Sequence, residues 1–364
     1  MQLPESNNLS VEKLSGVFND KATSYKFFWF LSLLESFKSN NSATFLIDDL
    51  TIEMICQVWY PINYFKLSFG KQDMFESSID EVQNIFQIQK DISKKDLKQF
   101  LIKNKNQTAI KKLIRDLTRY VPFRFLSPWF ANELQGQLDE KKNYLIESLS
   151  RKTDSASLYR FKNISELEIN PSWRNYILKH ISILQGFTFW HLVNYLQKNN
   201  PNVPNIPDKL FPPEVRILSK AKKIWEIYLS KKNQFKCIYS SELILTKNFS
   251  IDHFLPWSFV AHDQLWNLIP TPKTINSMKS DNLPALKYLD PFCELQYNAF
   301  HFVLENKLEK EKSFEDYSIL FKDSLTNILS IDKNVFIKTL SDNIKPLMQI
   351  ATNMGFPSNW IYKL

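Results

Sequence analysis

The stretch SIDHFLPWSFVAHDQLWNLIPTPKTINSMKSDNLP, Ser250 to Pro284, differs in kind from the sequence around it. On either side, apolar clusters alternate with lysine-rich polar ones at helical spacing. Here a run with strand character, Asn248 to Pro256, is followed by a loop and then by a run with helix character from Pro270 to about Lys279. Thr271 is placed as the N-cap of that helix and Pro272 near its first turn. Along the strand Ile251 and His253 face one side, Asp252 and Phe254 the other. A strand and a helix joined by a loop can gather one histidine and two oxygen ligands about a shared point.

Those residue types suit phosphodiester hydrolysis. A magnesium ion takes hard oxygen ligands and keeps several waters, so one carboxylate and one amide oxygen suffice when a phosphate supplies more. A neutral imidazole, with an ordinary pKa of ~6.5, can take a proton from attacking water near neutral pH. Asp252 and His253, adjacent on a strand, point to opposite sides, so one can hold metal while the other meets the water.

Asp252-His253, Phe254-Leu255-Pro256, Ser258, Asn267, Asn276, Lys279 and the ending Ser280-Asp281-Asn282-Leu283-Pro284 together resemble an HNH (ββα-metal) nuclease motif. They are most similar to the HNH module of the RNA-guided CRISPR effector nucleases. The resemblance covers residues 236–284, and no bridge helix or RuvC-like segment accompanies it. It implies that Asp252 and Asn276 bind a divalent cation, Mg2+ or in its place Mn2+. It further implies that His253 is the general base, that Asn267 braces the loop orienting it, and that Lys279 neutralises phosphate charge. The implied activity is metal-dependent cleavage of nucleic acid, with DNA as the first choice and RNA as the second.

One departure is informative. Many HNH nucleases carry two CxxC knuckles around a structural zinc. Here the first is reduced to Cys237-Ile238-Tyr239-Ser240 and the second has no cysteine. A zinc site needs four close ligands, so no structural zinc is expected, and packing by Tyr239, Phe254, Trp257 and Trp266 has to replace it.

A chain of 364 residues exceeds what one core usually organises, and its five glycines are too few for a fold rich in hairpins and barrel corners. The reading is mainly α: helical N-terminal and C-terminal regions flanking a small ββα-metal module. Lys26 to Phe37 and Trp173 to Leu196 carry strong helical periodicity, the second opened by Asn170-Pro171. Val58 to Gly70, with β-branched and aromatic residues around Pro61, reads as extended or irregular. The five prolines of NNPNVPNIPDKLFPP, Asn199 to Pro213, read as a linker.

Pro213 is then taken to open a helix whose apolar stripe is Ile217, Ala221, Ile224, Trp225 and Tyr228, with Lys220, Lys222 and Lys223 turned outward as candidate nucleic-acid contacts beside Lys279. Ser313 with Asp316 reads as a capping box, Pro346 as a helix end or kink, and Gly355 as a terminator. The expected division is 1–205 helical recognition or partner-binding domain, 206–235 linker and connecting helix, 236–284 nuclease module and 285–364 helical C-terminal region.

The net charge of +8 suits a phosphate-rich partner. The basic and aromatic segment Lys94 to Phe125 is a weaker candidate for backbone contact than the lysines beside the module. Three scattered cysteines, no secretory signal and no apolar run of ~18 residues point to a soluble cytoplasmic protein without membrane partners. Gly70-Lys71-Gln72-Asp73 lacks the rest of a P-loop, so ATP hydrolysis is not expected of this chain. Among the histidines outside the pair, His180 and His191 fall on apolar helix faces, His262 reads as a surface loop residue, and His301 has no partner pattern. By analogy, so large an accessory region around a nuclease suggests the nuclease subunit of a bacterial antiphage or restriction-type system, acting as a homodimer or beside an ATPase or sensor protein. The alternatives are a homing or mobile-element endonuclease and a non-catalytic nucleic-acid-binding adaptor that retains the HNH shape.

Overall fold

A computed structural model describes residues 2–363 apart from 20, 21, 41, 153, 214, 232–234, 247 and 309. The fold is mainly helical, with one three-stranded and one two-stranded antiparallel sheet among the described residues. Two compact units emerge, residues 1–201 with 206–212, and residues 202–205 with 213–364. None of the described helices is long and apolar enough to cross a membrane.

The first unit is built around α1 (Tyr25–Asn40), in which Phe27 to Leu31, Leu33 and Leu34 are all buried. A helix apolar on nearly every side belongs at the centre of its domain. Strand β1 (Thr44–Leu46) leads into α2 (Ile47–Trp59), and β2 (Tyr159–Asn163) and β3 (Glu166–Ile169) complete a sheet ordered β1-β3-β2. Of the segment Val58 to Gly70, expected to be extended or irregular, residues 58–64 are instead helical, while 66–70 have no regular structure. Trp59 ends α2 and Tyr60–Tyr64 continues it as a π-helical turn. Pro61 supplies the reason, since its missing N–H breaks the regular ladder and the backbone widens around it.

Beyond them, α3 (Lys94–Asn104) starts at a working cap, the Ser93 hydroxyl accepting from the Asp96 N–H at 3.1 Å. The long α4 (Pro171–Asn199) begins where Asn170-Pro171 indicated and bends at His180. Asn170 does not cap it by its side chain, which donates instead to the Ser155 and Ser157 carbonyls.

In the second unit α5 (Ser219–Ser230) starts later than Pro213, because residues 215–218 are not helical. Ala221, Ile224, Trp225 and Tyr228 form the buried stripe, whereas Ile217, counted with them from the sequence, is 79% exposed. Strands β4 (Ser250–His253) and β5 (Leu268–Thr271) pair antiparallel, with Asp252 opposite Ile269 and His253 opposite Leu268. Thr271 therefore ends a strand rather than capping a helix, and α6 (Lys273–Lys279) follows after Pro272.

Helices α7 (Leu289–Glu305) and α8 (Lys333–Asn353) close the unit, and their apolar faces share one core with α5 and with the β4, β5 and α6 segment. Phe254 stacks on Phe292 at 4.0 Å between ring centres. Pro346 lies inside α8 and does not end it. Asp316 does not close a capping box; its carboxylate accepts from the Leu265 N–H at 2.9 Å.

Candidate active site

Strand pairing sets the frame. Leu268, opposite His253, offers its carbonyl to two buried donors, the Trp225 indole at 3.1 Å and the Gln296 amide at 3.0 Å. The indole comes from α5 and the amide from α7, so helices on both sides of the motif fix β5 and, through it, β4. Asn267 is fully buried, and its side chain pairs with both backbone groups of Leu255, accepting from the N–H at 2.8 Å and donating to the carbonyl at 2.9 Å. Its own carbonyl takes the Phe254 N–H at 2.9 Å. The chain leaving His253 is thus pinned to the chain entering β5.

Asp252 is 2% exposed and held at both oxygens. Lys279, at the end of α6, donates to Oδ1 at 3.1 Å, and Tyr239 donates to Oδ2 at 2.9 Å. The Lys279 ammonium also donates to the His253 carbonyl at 2.6 Å, and the residue is fully buried. A lysine expected to neutralise phosphate charge is therefore internal. Its charge faces the Asp252 carboxylate, where low local dielectric makes the pair hard to break on one side only.

His253 is 4% exposed, and its ring nitrogen Nε2 lies 2.8 Å from Asp263 Oδ1. Burial holds the imidazole below the ordinary histidine value, with Asp263 pulling it back up. Burial pushes the Asp263 carboxyl up, but the bond to His253 and the nearby positive charge outweigh it and leave it below the ordinary carboxylate value. The pair is best described as an ionised Asp263 and a neutral His253. An ionised carboxylate only accepts, so Nε2 carries the hydrogen and Nδ1 the lone pair.

Asn276 sits on α6 facing β4, its amide nitrogen donating to Ser250 Oγ at 3.0 Å and to the Ile251 carbonyl at 3.1 Å. With its nitrogen committed, the amide oxygen is the atom left to act as a ligand. Among the described residues no group of three or more His, Cys, Asp or Glu side chains could hold a metal ion. The candidate set is instead one carboxylate and one amide oxygen. Each carboxylate oxygen has two lone pairs, so one hydrogen bond apiece leaves Asp252 able to ligate. That donor chemistry fits a hard cation that keeps several of its own waters.

The structure places Asp252 and His253 on β4, Asn276 and Lys279 on α6, and Asn267 in the turn that leads into β5. Lys220, Lys222 and Lys223 lie exposed on α5. Tyr239, Phe254 and Trp266 are buried, and Trp257 is partly buried with the Arg216 guanidinium 5.5 Å above its ring. His301 is buried and bonds Glu305 at 3.3 Å, while His191 packs on Phe18 and Phe187. Two contributors escaped the sequence reading, Tyr239 as a partner of Asp252 and Asp263 as the partner of His253. Asp263 stood next to the noticed His262, but nothing in spacing alone shows which way a loop carboxylate turns.

No curated protein and no solved structure matches the chain. Residues 236–285, the span that holds β4, β5 and α6 with Tyr239 and Asp263, match the family model of the HNH endonucleases. The chain therefore carries an HNH endonuclease module inside a mainly helical protein.

Proposed function

We propose that this protein is a metal-dependent endonuclease that hydrolyses phosphodiester bonds in DNA, with His253 as general base and Asp252 and Asn276 as the protein ligands of a magnesium ion. The observation that carries this reading is the carboxylate-held imidazole of His253, adjacent in sequence to Asp252 and with Asn276 bonded to the same strand, inside the segment that matches the HNH family. Bound there, a divalent cation would supply Lewis-acid stabilisation of phosphate and leaving-group charge. The remaining work falls to the chain's own side chains. His253 Nδ1 accepts the proton of the attacking water, Asn267 fixes the backbone after the base, and Lys279 and Tyr239 hold the Asp252 carboxylate in one orientation. Lys220, Lys222 and Lys223, exposed on the helix leading to the module, add phosphate attraction, consistent with a net charge of +8.

The same reading extends to biology as the nuclease subunit of an antiphage or restriction-type system, controlled by an ATPase, a sensor or self-association. Its support is the near-complete burial of Asp252 and His253, 2% and 4% exposed, which suits a site opened on demand. The test is cleavage of supercoiled plasmid with Mg2+ by wild type and by His253→Ala, alongside a binding assay. Loss of cleavage by ~10²-fold or more with binding retained is expected. A variant that cuts at the wild-type rate would sink the assignment.

A further inference from the structure

We infer that Asp263 is the positioning residue of the base, fixing both the tautomer and the direction of the His253 ring; this rests on the reading of His253 as the base. The argument begins with the turn. Ala261 adopts a left-handed conformation, φ 52°, which ends the short helix Trp257–Val260 and turns the chain back toward β4. Local bonds then hold the turn: the Gln264 N–H donates to His262 Nδ1 at 3.3 Å, and the Trp266 indole donates to Gln264 Oε1 at 2.7 Å. Asp263 is thus presented from a braced loop.

Its two oxygens have separate partners. Oδ1 takes the His253 Nε2 hydrogen at 2.8 Å, and Oδ2 takes the Ile217 N–H at 3.3 Å from the segment preceding α5. A carboxylate held at both ends cannot rotate away from the imidazole. The backbone of the same histidine is held by Lys279 on its carbonyl and, one residue on, by Asn267. The ring is therefore constrained from two directions, and a base fixed before substrate arrives loses little freedom in the reaction. Because an ionised Asp263 only accepts, it selects the tautomer with the hydrogen on Nε2 and leaves Nδ1 as the basic nitrogen, the orienting role a carboxylate plays beside histidine in nucleophile-activating triads.

The test pairs kinetics with a spectroscopic readout on the full chain. In wild type, nitrogen-15 NMR of the histidine rings, with His253 assigned by its loss in His253→Ala, should show the Nε2-protonated tautomer. Asp263→Ala should convert that signal to a tautomer mixture and lower kcat by ~10- to 10³-fold with KM nearly unchanged, while Asp263→Glu should recover much of both. Unchanged circular dichroism in the alanine variant separates positioning from folding. A His253 ring spectrum identical in wild type and Asp263→Ala, or kcat within about twofold of wild type, would overturn the inference. Should the wild-type chain cleave nothing, the nuclease reading fails by that result, and the ring spectrum still decides the role of Asp263.

Discussion

Tyr239 donates its hydroxyl to Asp252 Oδ2 at 2.9 Å, so a residue within the remnant of a cysteine knuckle serves the carboxylate of the candidate site. Its ring packs edge-on against Tyr288 and Trp360, at 5.1 and 5.3 Å. The same side chain thus packs in the core and holds one oxygen of the Asp252 carboxylate.

The Asp252 and Lys279 pair should behave as a buried ion pair broken from one side. The carboxylate is 3% exposed and the ammonium 0%, so Lys279→Met is expected to cost ~3–5 kcal/mol. Tyr239→Phe, which removes one neutral donor, should cost ~1–3 kcal/mol. Combining Asp252→Asn with Lys279→Met should recover part of the stability but none of the cleavage. Urea midpoints at constant m-value measure all three, and a Lys279→Met protein as stable as wild type would refute the pairing.

Cation binding should depend on the two oxygen donors. Asn276→Ala removes the amide oxygen and its bonds to Ser250 and Ile251, and Asp252→Asn removes the charge. Each is expected to raise the Mg2+ midpoint of cleavage ~10-fold or more, with partial recovery in Mn2+, which tolerates a less exacting site. Calorimetric titrations indistinguishable from wild type in both variants would remove these residues from the metal site.

Gln296 links the C-terminal helices to β5, the strand opposite His253. It donates to the Leu268 carbonyl and accepts the Tyr317 hydroxyl at 2.6 Å, all within the buried interior. Gln296→Leu should leave the phenol unpaired and lower stability by ~1–3 kcal/mol. Cleavage should fall with it, since β5 sets the register of β4; a variant that lost stability alone would show that the register has other support.

In the first unit, Glu53 is buried between Lys94 at 2.5 Å and Lys98 at 2.8 Å. Burial pushes its carboxyl up, and the two ammonium groups outweigh burial, leaving it below the ordinary value. A depressed folded-state value gives stability that is complete above the unfolded value, ~4.3, and is lost as pH falls through the folded one. In Lys94→Met/Lys98→Met, burial acts alone and raises the carboxyl. The variant should then be weakest near neutral pH, by ~3 kcal/mol, and approach wild type toward pH ~4. Lys98→Met alone should cost under ~1 kcal/mol, because Lys94 remains and both lysines are partly exposed. Thermal midpoints across pH 4–8 decide the sign.

What the sequence disclosed follows from what is local. The helices of the first unit announce themselves through unbroken apolar spacing, and the order of Asp252, His253, Asn267 and Asn276 survives because a strand, a loop and a short helix fix it within one segment. Misreadings arose where distant chain decides. Tyr60 to Tyr64 looks irregular because of Pro61, yet it is helical, and its Tyr60 hydroxyl donates to the Ile92 carbonyl at 2.5 Å. Ile217 fits a helical stripe, but the helix begins after it, and its N–H is bound to Asp263. Lys279 resembles any lysine at a helix end until the folded segment brings Asp252 against it. The direction in which Asp263 turns is likewise a property of the closed loop.

The segment ending the motif is paired with chain made much later. The Leu283 N–H donates to the Pro357 carbonyl at 2.8 Å, the Trp360 N–H to Leu283 at 2.9 Å, and the Ala285 N–H to Trp360 at 2.9 Å. Pro284 and Trp360 form a parallel bridge. During synthesis, then, a ribosome that has just completed Pro284 has made every candidate catalytic side chain but not residues 357–360, whose backbone pairs with the end of the motif. At ~5–20 residues per second, several seconds of synthesis separate Pro284 from Trp360, and over that interval the end of the motif lacks the backbone partners it has in the folded chain.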